Sequence, residues 1–230
     1  MRPFVLRALL LSGLSLWLAG TAAALPLPVI ADATVNGDAP STNYNSNTYQ
    51  GGLFVGGNNR FYLKFQLPPL VAGTVISSAV LTGYYQDELF EAIDGVFNIH
   101  LAGSDAWSEG ALTWSNQPGF LPGVLDTWNA TGAAFGLHSF DVTGAANAQY
   151  QGDGVLSLVF KENVESGTVF TWEYWHSKEA LPVLPSFDQV PFVLDVTIAQ
   201  VPEPGSAALL APGLVALGLR RRGRRRAARV

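Results

Sequence analysis

Residues 61–67 read Phe61-Tyr62-Leu63-Lys64-Phe65-Gln66-Leu67, and this stretch decides the fold class. Its odd positions are apolar, whereas Lys64 and Gln66 fall on the opposite face, which is the period-two alternation of a half-buried β-strand. Residues 192–198 show the same alternation, with Phe192, Leu194, Val196 and Ile198 predicted to face inward. Both stretches therefore predict strands that lay one face on a hydrophobic core.

The sequence around these two stretches has the same character. Short β-branched and aromatic runs are separated by Gly, Asn, Pro and Asp, and no repeat of 20–50 residues is present. An Ala-rich stretch at 143–150 predicts one short helix. A domain with about eight strands indicates an all-β fold, a β-sandwich of jelly-roll type, at residues 25–200. The predicted strands are 29–35, 61–67, 75–85, 96–102, 136–141, 155–161, 169–175 and 192–199.

Charge is distributed unevenly along the 230 residues. Nine of the 13 Lys and Arg residues lie before residue 25 or after residue 200, so residues 25–200 carry four basic side chains against 17 acidic ones. This net charge of −13 excludes an electropositive phosphate-binding face, and with it general nucleic-acid binding. Cysteine is absent, which excludes disulfides, thiol nucleophiles and thiolate metal sites.

Residues 1–24 have the three parts of a secretory signal peptide. Arg2 and Arg7 form a basic start, residues 8–18 an apolar run, and residues 21–24 a small-residue exit. The pattern predicts export with cleavage after Ala24. The alternative is a membrane anchor, but the apolar run is short against the roughly 20 residues that a span needs.

Residues 201–230 contain Pro202-Glu203-Pro204, then an apolar stretch at 205–219, then an Arg-rich tail. As a helix the apolar stretch would be about 22 Å long, which is shorter than a bilayer core of about 30 Å, and the arginines would stay in the cytoplasm. The three parts in this order resemble the PEP-CTERM sorting signal. The resemblance implies transient inner-membrane anchoring, exosortase and the secretion machinery as partners, and a final place at the cell surface or in the extracellular matrix of a Gram-negative bacterium. A permanent single-pass anchor is the alternative.

A second resemblance spans about 165 residues of the middle of the chain. Its densest phrase reads Trp107-Ser108-Glu109-Gly110-Ala111-Leu112-Thr113-Trp114-Ser115-Asn116-Gln117-Pro118, and Asn59-Arg60-Phe61 precedes it. These phrases resemble the DNRLRE-type domain, a bacterial surface jelly roll related to carbohydrate-binding modules, although Asn58 stands where that domain usually has Asp. The resemblance implies a structural motif formed by Arg60, Trp107, Glu109, Thr113, Trp114, Asn116 and Pro118.

The aromatic residues are the candidates for binding. Trp107 and Trp114 could stack on a sugar ring, but we favour the interpretation that they order a long loop, in which Glu109 and Asn116 hold backbone groups. A second group lies in predicted loops or at strand ends, where an exposed aromatic side chain forms a binding platform and a buried one does not. The sequence does not decide between carbohydrate binding and burial for this group, which is Tyr44, Tyr49, Trp128 and Trp175.

Metal and catalytic sites are weakly indicated. Asp32 and Asp195, on the first and last predicted strands, could share a structural calcium ion by analogy with other jelly rolls, and no other cofactor is expected. The sequence contains no hydrolase nucleophile motif and no metal-binding spacing of its three histidines, and its acidic residues nominate no glycosidase pair.

The sequence thus predicts an exported, non-catalytic surface protein whose domain binds extracellular polysaccharide. A purely structural spacer of the matrix or a biofilm is the alternative, and a polysaccharide lyase or hydrolase is a third hypothesis. Binding would be favoured over the spacer if one exposed face brought together Tyr44, Tyr49, Trp128 and Trp175. A cleft that holds Arg60 or Lys64 beside a tyrosine and a carboxylate would favour the enzyme. The scarcity of basic residues predicts a neutral or weakly charged ligand.

Overall fold

A computed structural model describes residues 23–45, 52–86, 95–165, 173–179 and 190–201. Within these residues the secondary structure consists of eleven β-strands, one α-helix and one short 3-10 helix at Trp114–Asn116. The strands and helix are β1 (Leu25–Pro28), β2 (Ala31–Asn36), β3 (Gly52–Val55), β4 (Asn59–Gln66), β5 (Thr74–Tyr85), β6 (Val96–Ala102), β7 (Phe120–Asn129), β8 (Gly136–Asp141), α1 (Thr143–Tyr150), β9 (Val155–Glu162), β10 (Glu173–His176) and β11 (Val193–Gln200).

These strands form two sheets that enclose one core. In the described residues the six-stranded sheet has the order β1-β11-β5-β10-β3 with β8 also paired to β5, and the five-stranded sheet has the order β2-β4-β9-β6-β7. The strand pairs are antiparallel. Two antiparallel sheets with buried facing surfaces are a β-sandwich, so the predicted all-β sandwich is confirmed.

The alternating apolar side chains at 61–67 face the core between the two sheets. Phe61, Leu63 and Phe65 on β4 are fully buried, whereas Gln66 is exposed. Phe61 stacks on Phe160 of β9 with ring centroids 4.4 Å apart. The ring centroid of Phe160 lies 5.7 Å from that of Phe192, which directly precedes β11 of the six-stranded sheet. Aromatic rings from both sheets thus fill the space between them.

A second, smaller apolar cluster lies on the outer face of the five-stranded sheet. Its strand residues include Tyr62 and Val159, and they are covered by Trp107 and Leu112 from residues 103–119, which we call the covering loop. The base of the loop is closed by a hydrogen bond of 3.2 Å from the Gly103 amide to the Gly119 carbonyl. A Cβ at Gly103 would lie 2.5 Å from the Pro118 carbonyl oxygen, so this closure requires glycine.

The helix and most strands lie where the sequence predicts them, but β1 was not predicted. Helix α1 has the bounds of the Ala-rich stretch, whereas β3 and β7 were also not predicted, and the predicted strand 169–175 overlaps β10 only at 173–175. The signal-peptide residues 1–22 and the sorting segment 202–230, with Pro202, Glu203 and Pro204, lie outside the described residues, as does Tyr49. No helix in the described part of the chain is long and apolar enough to cross a bilayer.

Candidate functional site

Two of the four aromatic residues that the sequence leaves undecided between binding and burial lie in the core. Trp175 is 0% exposed and Trp128 is 6% exposed, and their ring centroids are 4.9 Å apart. Each occupies an inward position of its strand, because Trp175 is paired with Tyr85 and Trp128 with Phe97, and both partners are buried. Burial therefore corrects the interpretation of Trp128 and Trp175 as carbohydrate-binding candidates. Tyr44 is half-buried and bridges to Thr34 on the five-stranded sheet, so the described members of the set do not converge on an exposed face.

Trp107 anchors the covering loop to the sheet beneath it. Its side chain is 8% exposed, its Nε1 donates a hydrogen bond of 3.2 Å to Ser157 Oγ, and its ring meets the edge of Tyr62 at 5.7 Å. Lys64 Nζ lies 4.3 Å from the centre of the indole and donates to the carbonyl oxygens of Asp105 and Trp107. The indole is thus occupied by protein contacts, and burial of Lys64 lowers the pKa of its ammonium group.

Trp114 is half-buried and also helps to hold the covering loop in place. The guanidinium of Arg60 lies 4.5 Å from its ring centre, and Gly37 packs so closely that a Cβ there would be 3.2 Å from two ring carbons. Asn116 folds the neighbouring turn, since Asn116 Oδ1 accepts from the Thr113 amide at 2.7 Å and its Nδ2 donates to the Ala111 carbonyl at 2.8 Å. Glu109 differs from the expectation, because its carboxylate pairs with Lys178 Nζ at 2.7 Å rather than with backbone groups.

The arrangement that would favour an enzyme is present only in part. Arg60 lies beside Tyr62 and forms a bidentate pair with Glu165, with N–O distances of 2.5 and 2.7 Å. Burial acts against the charge of Arg60, but the hydrogen bonds and charge of Glu165 outweigh it and raise the guanidinium pKa. Burial raises the pKa of Tyr62 to about 12, and its hydroxyl donates to Gln117 Oε1 at 2.8 Å. Arg60 and Tyr62 both donate to Gln117 Oε1, so this group ties the covering loop to the sheet.

A different set of aromatic side chains lies on the outer face of the six-stranded sheet. We call Tyr84, Gln86, Tyr174 and His176 the tyrosine–histidine strip. The rings of Tyr84 and His176 are stacked with centroids 4.6 Å apart, and Tyr174 meets His176 edge-on at 6.2 Å. His176 Nε2 lies 2.6 Å from Gln86 Oε1. Both tyrosines are half-exposed, whereas His176 is buried at the centre of the strip.

Local sequence explains how the strip is held. A Cβ at Gly52 on β3 would lie 1.7 Å from the Tyr174 ring, so only glycine lets this ring lie across the neighbouring strand. Burial lowers the pKa of His176 and raises the pKa of Tyr174, so it favours the neutral form of both rings. The partly exposed tyrosine rings can stack on the C–H face of a sugar, and the Gln86 amide beside them can bond its hydroxyl groups.

The strip was not predicted from the sequence, because Trp175, rather than its neighbours Tyr174 and His176, was the candidate for an exposed ring on β10. Side chains alternate along a strand, so an inward Trp175 places Tyr174 and His176 on the outer face, and an inward Tyr85 does the same for Tyr84. The signal was present in the sequence, but it depends on knowing which face of each strand is buried.

The carboxylates of the sandwich edge gather in a group that differs from the predicted one. Asp32 lies with Glu109 and Glu179, with one oxygen of each carboxylate within 4.8 Å of the others. Burial, with a smaller contribution from Glu109, raises the pKa of Asp32 to about 6 against the lowering effect of the Lys178 amide. Asp195 lies on β11 in the other sheet and is half-exposed, which corrects the expectation that Asp32 and Asp195 share an ion.

Comparison with known proteins adds a family to this geometry. A family model described as carbohydrate-binding module family 96 matches residues 23–184, which include most of the sandwich. Comparison with curated proteins gives no match.

Proposed function

Because the chain belongs to carbohydrate-binding module family 96, we propose that it is a non-catalytic protein whose sandwich, of jelly-roll type, binds polysaccharide. The location of the binding surface is inferred from the tyrosine–histidine strip, in which the partly exposed rings of Tyr84 and Tyr174 flank His176. Leu137, paired with Tyr84 on the neighbouring strand, is 60% exposed and extends the apolar surface. A row of rings on the outer face of a sheet suits an extended chain better than a single small sugar.

The ligand of this strip is a neutral or weakly charged glycan. The charge of residues 25–200 is −13, and the four basic side chains have partners within the protein. Arg60 is paired with Glu165, Lys64 with backbone carbonyls, Lys161 with Glu165 and Lys178 with Glu109. Recognition then rests on stacking and hydroxyl hydrogen bonds, for which we expect affinities of about −8 to −4 kcal/mol, roughly micromolar to millimolar.

The same proposal covers the route of the protein out of the cell. The basic start, apolar run and small-residue exit of residues 1–24 support export with removal of the signal peptide after Ala24. The order of Pro202-Glu203-Pro204, a short apolar stretch and an Arg-rich tail supports transient anchoring in the inner membrane and sorting by exosortase. The mature protein then acts at the cell surface or in the extracellular polysaccharide matrix of a Gram-negative bacterium.

The test is calorimetric titration of the full-length protein with neutral oligosaccharides chosen from a glycan array. Tyr84→Ala and Tyr174→Ala should each weaken binding about tenfold, which corresponds to about 1.4 kcal/mol of lost stacking. Tyr44→Ala is the matched control, because Tyr44 is partly exposed like Tyr84 and Tyr174 but bridges to the other sheet. Loss of binding in Tyr44→Ala with intact binding in the other two variants would place the site elsewhere.

A second candidate function is a structural spacer of the matrix. One observation favours it: Trp128 and Trp175, which a binding platform would expose, are buried in the core. If the folded wild-type protein binds neither neutral nor acidic glycans, the spacer replaces the binding module.

A further inference from the structure

Three carboxylates from distant parts of the chain meet at one edge of the sandwich. Asp32 lies on β2, which is the edge strand of the five-stranded sheet, Glu109 belongs to the covering loop, and Glu179 follows β10. One oxygen of each carboxylate lies within 4.8 Å of the others. Like charges at this separation repel one another, so the group needs a positive partner.

The buried member of the group has an oxygen without a partner. Asp32 is 0% exposed, and its Oδ2 accepts a hydrogen bond of 2.8 Å from the Lys178 amide. In the described part of the chain Oδ1 of Asp32 is buried and has no hydrogen-bond partner, and the same is true of Oε2 of Glu179. Buried charged oxygens in proteins are paired, hydrogen-bonded or bound to a metal ion, so these two atoms point to a ligand.

The positive charge within the group is not sufficient. Lys178 Nζ pairs with Glu109 Oε2 at 2.7 Å and also contacts Glu179 Oε1. Among the residues that the structure describes, these contacts leave Oδ1 of Asp32 without a partner. Three ionised carboxylates and one ammonium carry a net charge of two negatives, which one divalent cation neutralises.

We propose that Asp32, Glu109 and Glu179 bind a divalent cation of the Ca²⁺ type, which ties the covering loop and the turn after β10 to the edge strand β2. The ligands are all carboxylate oxygens, which calcium prefers, and their irregular placement on a strand, a loop and a turn suits its flexible coordination better than the octahedral demand of Mg²⁺. The absence of nitrogen and sulfur from the ligand set disfavours zinc and copper. Water completes the coordination shell, and the cation shares the glutamates with Lys178.

The experiment is titration of the EDTA-treated full-length protein with CaCl₂ and with MgCl₂, followed by calorimetry and thermal unfolding. We expect saturable binding of one Ca²⁺, a rise of several degrees in the unfolding midpoint, and at least tenfold weaker binding of Mg²⁺. Asp32→Asn should weaken Ca²⁺ binding at least tenfold and remove the rise in the midpoint. Asp195→Asn is the matched control, because Asp195 lies on the other sheet, and this variant should bind Ca²⁺ as the wild type does.

Two further variants keep the test decisive if Asp32→Asn does not fold. Glu179→Gln should also weaken Ca²⁺ binding about tenfold. Lys178→Gln removes the competing ammonium and should tighten binding by about tenfold. The proposal is overturned if the wild-type protein shows no Ca²⁺-dependent change or if Glu179→Gln binds Ca²⁺ unchanged. If Ca²⁺ binds only to Lys178→Gln and not to the wild type, Lys178 is itself the permanent counter-ion of the three carboxylates and the proposal fails.

Discussion

Trp107 and Trp114 are seven residues apart in one loop, yet their surroundings differ. Trp107 is 8% exposed and bonded through its indole nitrogen to Ser157, so it acts as a core residue of the small outer cluster. Trp114 is half-buried and lies against Arg60, whose charge is held by Glu165. The free energy of unfolding should therefore depend more on Trp107 than on Trp114.

We predict that Trp107→Ala lowers the free energy of unfolding by about 3–5 kcal/mol, because it removes a buried indole and leaves a cavity. Trp114→Ala should cost about 1–3 kcal/mol, since part of its ring already meets solvent. Leu137→Ala, at a side chain that is 60% exposed, is the control and should change stability by less than about 0.5 kcal/mol. Urea unfolding of the three variants measures these differences. An unchanged stability of Trp107→Ala together with lost glycan binding would identify Trp107 as a sugar platform.

Residue types alone could not decide which aromatic side chains face solvent. Phe61, Leu63 and Phe65 were predicted correctly as core residues, because they alternate with Lys64 and Gln66 over a full strand. Trp175 lies in a four-residue strand with aromatic neighbours on both sides, so alternation gives two opposite answers with equal support. The pairing of Trp175 with Tyr85 decides between them, and that pairing links residues far apart in the sequence.

At the scale of elements, the sequence predicts strands that are buried on both faces, such as β9, as well as strands with one buried and one partly exposed face. Strand β11 is an example, with Leu194 and Val196 buried between half-exposed neighbours. Strand β7 was missed because its first half is mostly exposed and contains Pro122 and Gly123, which are typical of turns. Its pairing with β6 also shifts register twice, which removes the period of two from the sequence.

The C-terminal element makes its own prediction. Residues 205–219 would form a helix about 22 Å long, too short to span a bilayer core of about 30 Å without strain, and the following arginines would hold it at the cytoplasmic side. We expect that the host removes the segment after about residue 204 and releases the protein from the inner membrane. Mass spectrometry of surface material should find peptides that end near Pro204. Recovery of the intact Arg-rich tail from the mature surface form would show that the segment is a permanent anchor instead.

At the scale of the whole molecule, charge limits the choice of ligand more than fold does. The sandwich carries −13 over residues 25–200, and its four basic side chains have partners within the protein, so the protein does not present a concentrated positive field. An acidic polysaccharide would approach against a net repulsion that extends over a Debye length of about 10 Å at 0.1 M salt. A neutral chain pays no such penalty, and the uncharged tyrosine–histidine strip offers it stacking surface.

We therefore predict that the full-length protein prefers neutral oligosaccharides to uronate oligosaccharides of the same length. The neutral ligand should bind with a micromolar-to-millimolar Kd, roughly −8 to −4 kcal/mol, that changes little with salt, because no ions are released when uncharged hydroxyl groups meet aromatic rings. The uronate should bind more weakly, and most weakly at low salt, where repulsion is least screened. Isothermal titration at two ionic strengths measures all four values. Tight uronate binding that weakens steeply as salt rises would mean that Arg60 or the lysines leave their internal partners to meet the ligand, since only exposed cations give a salt dependence of that sign.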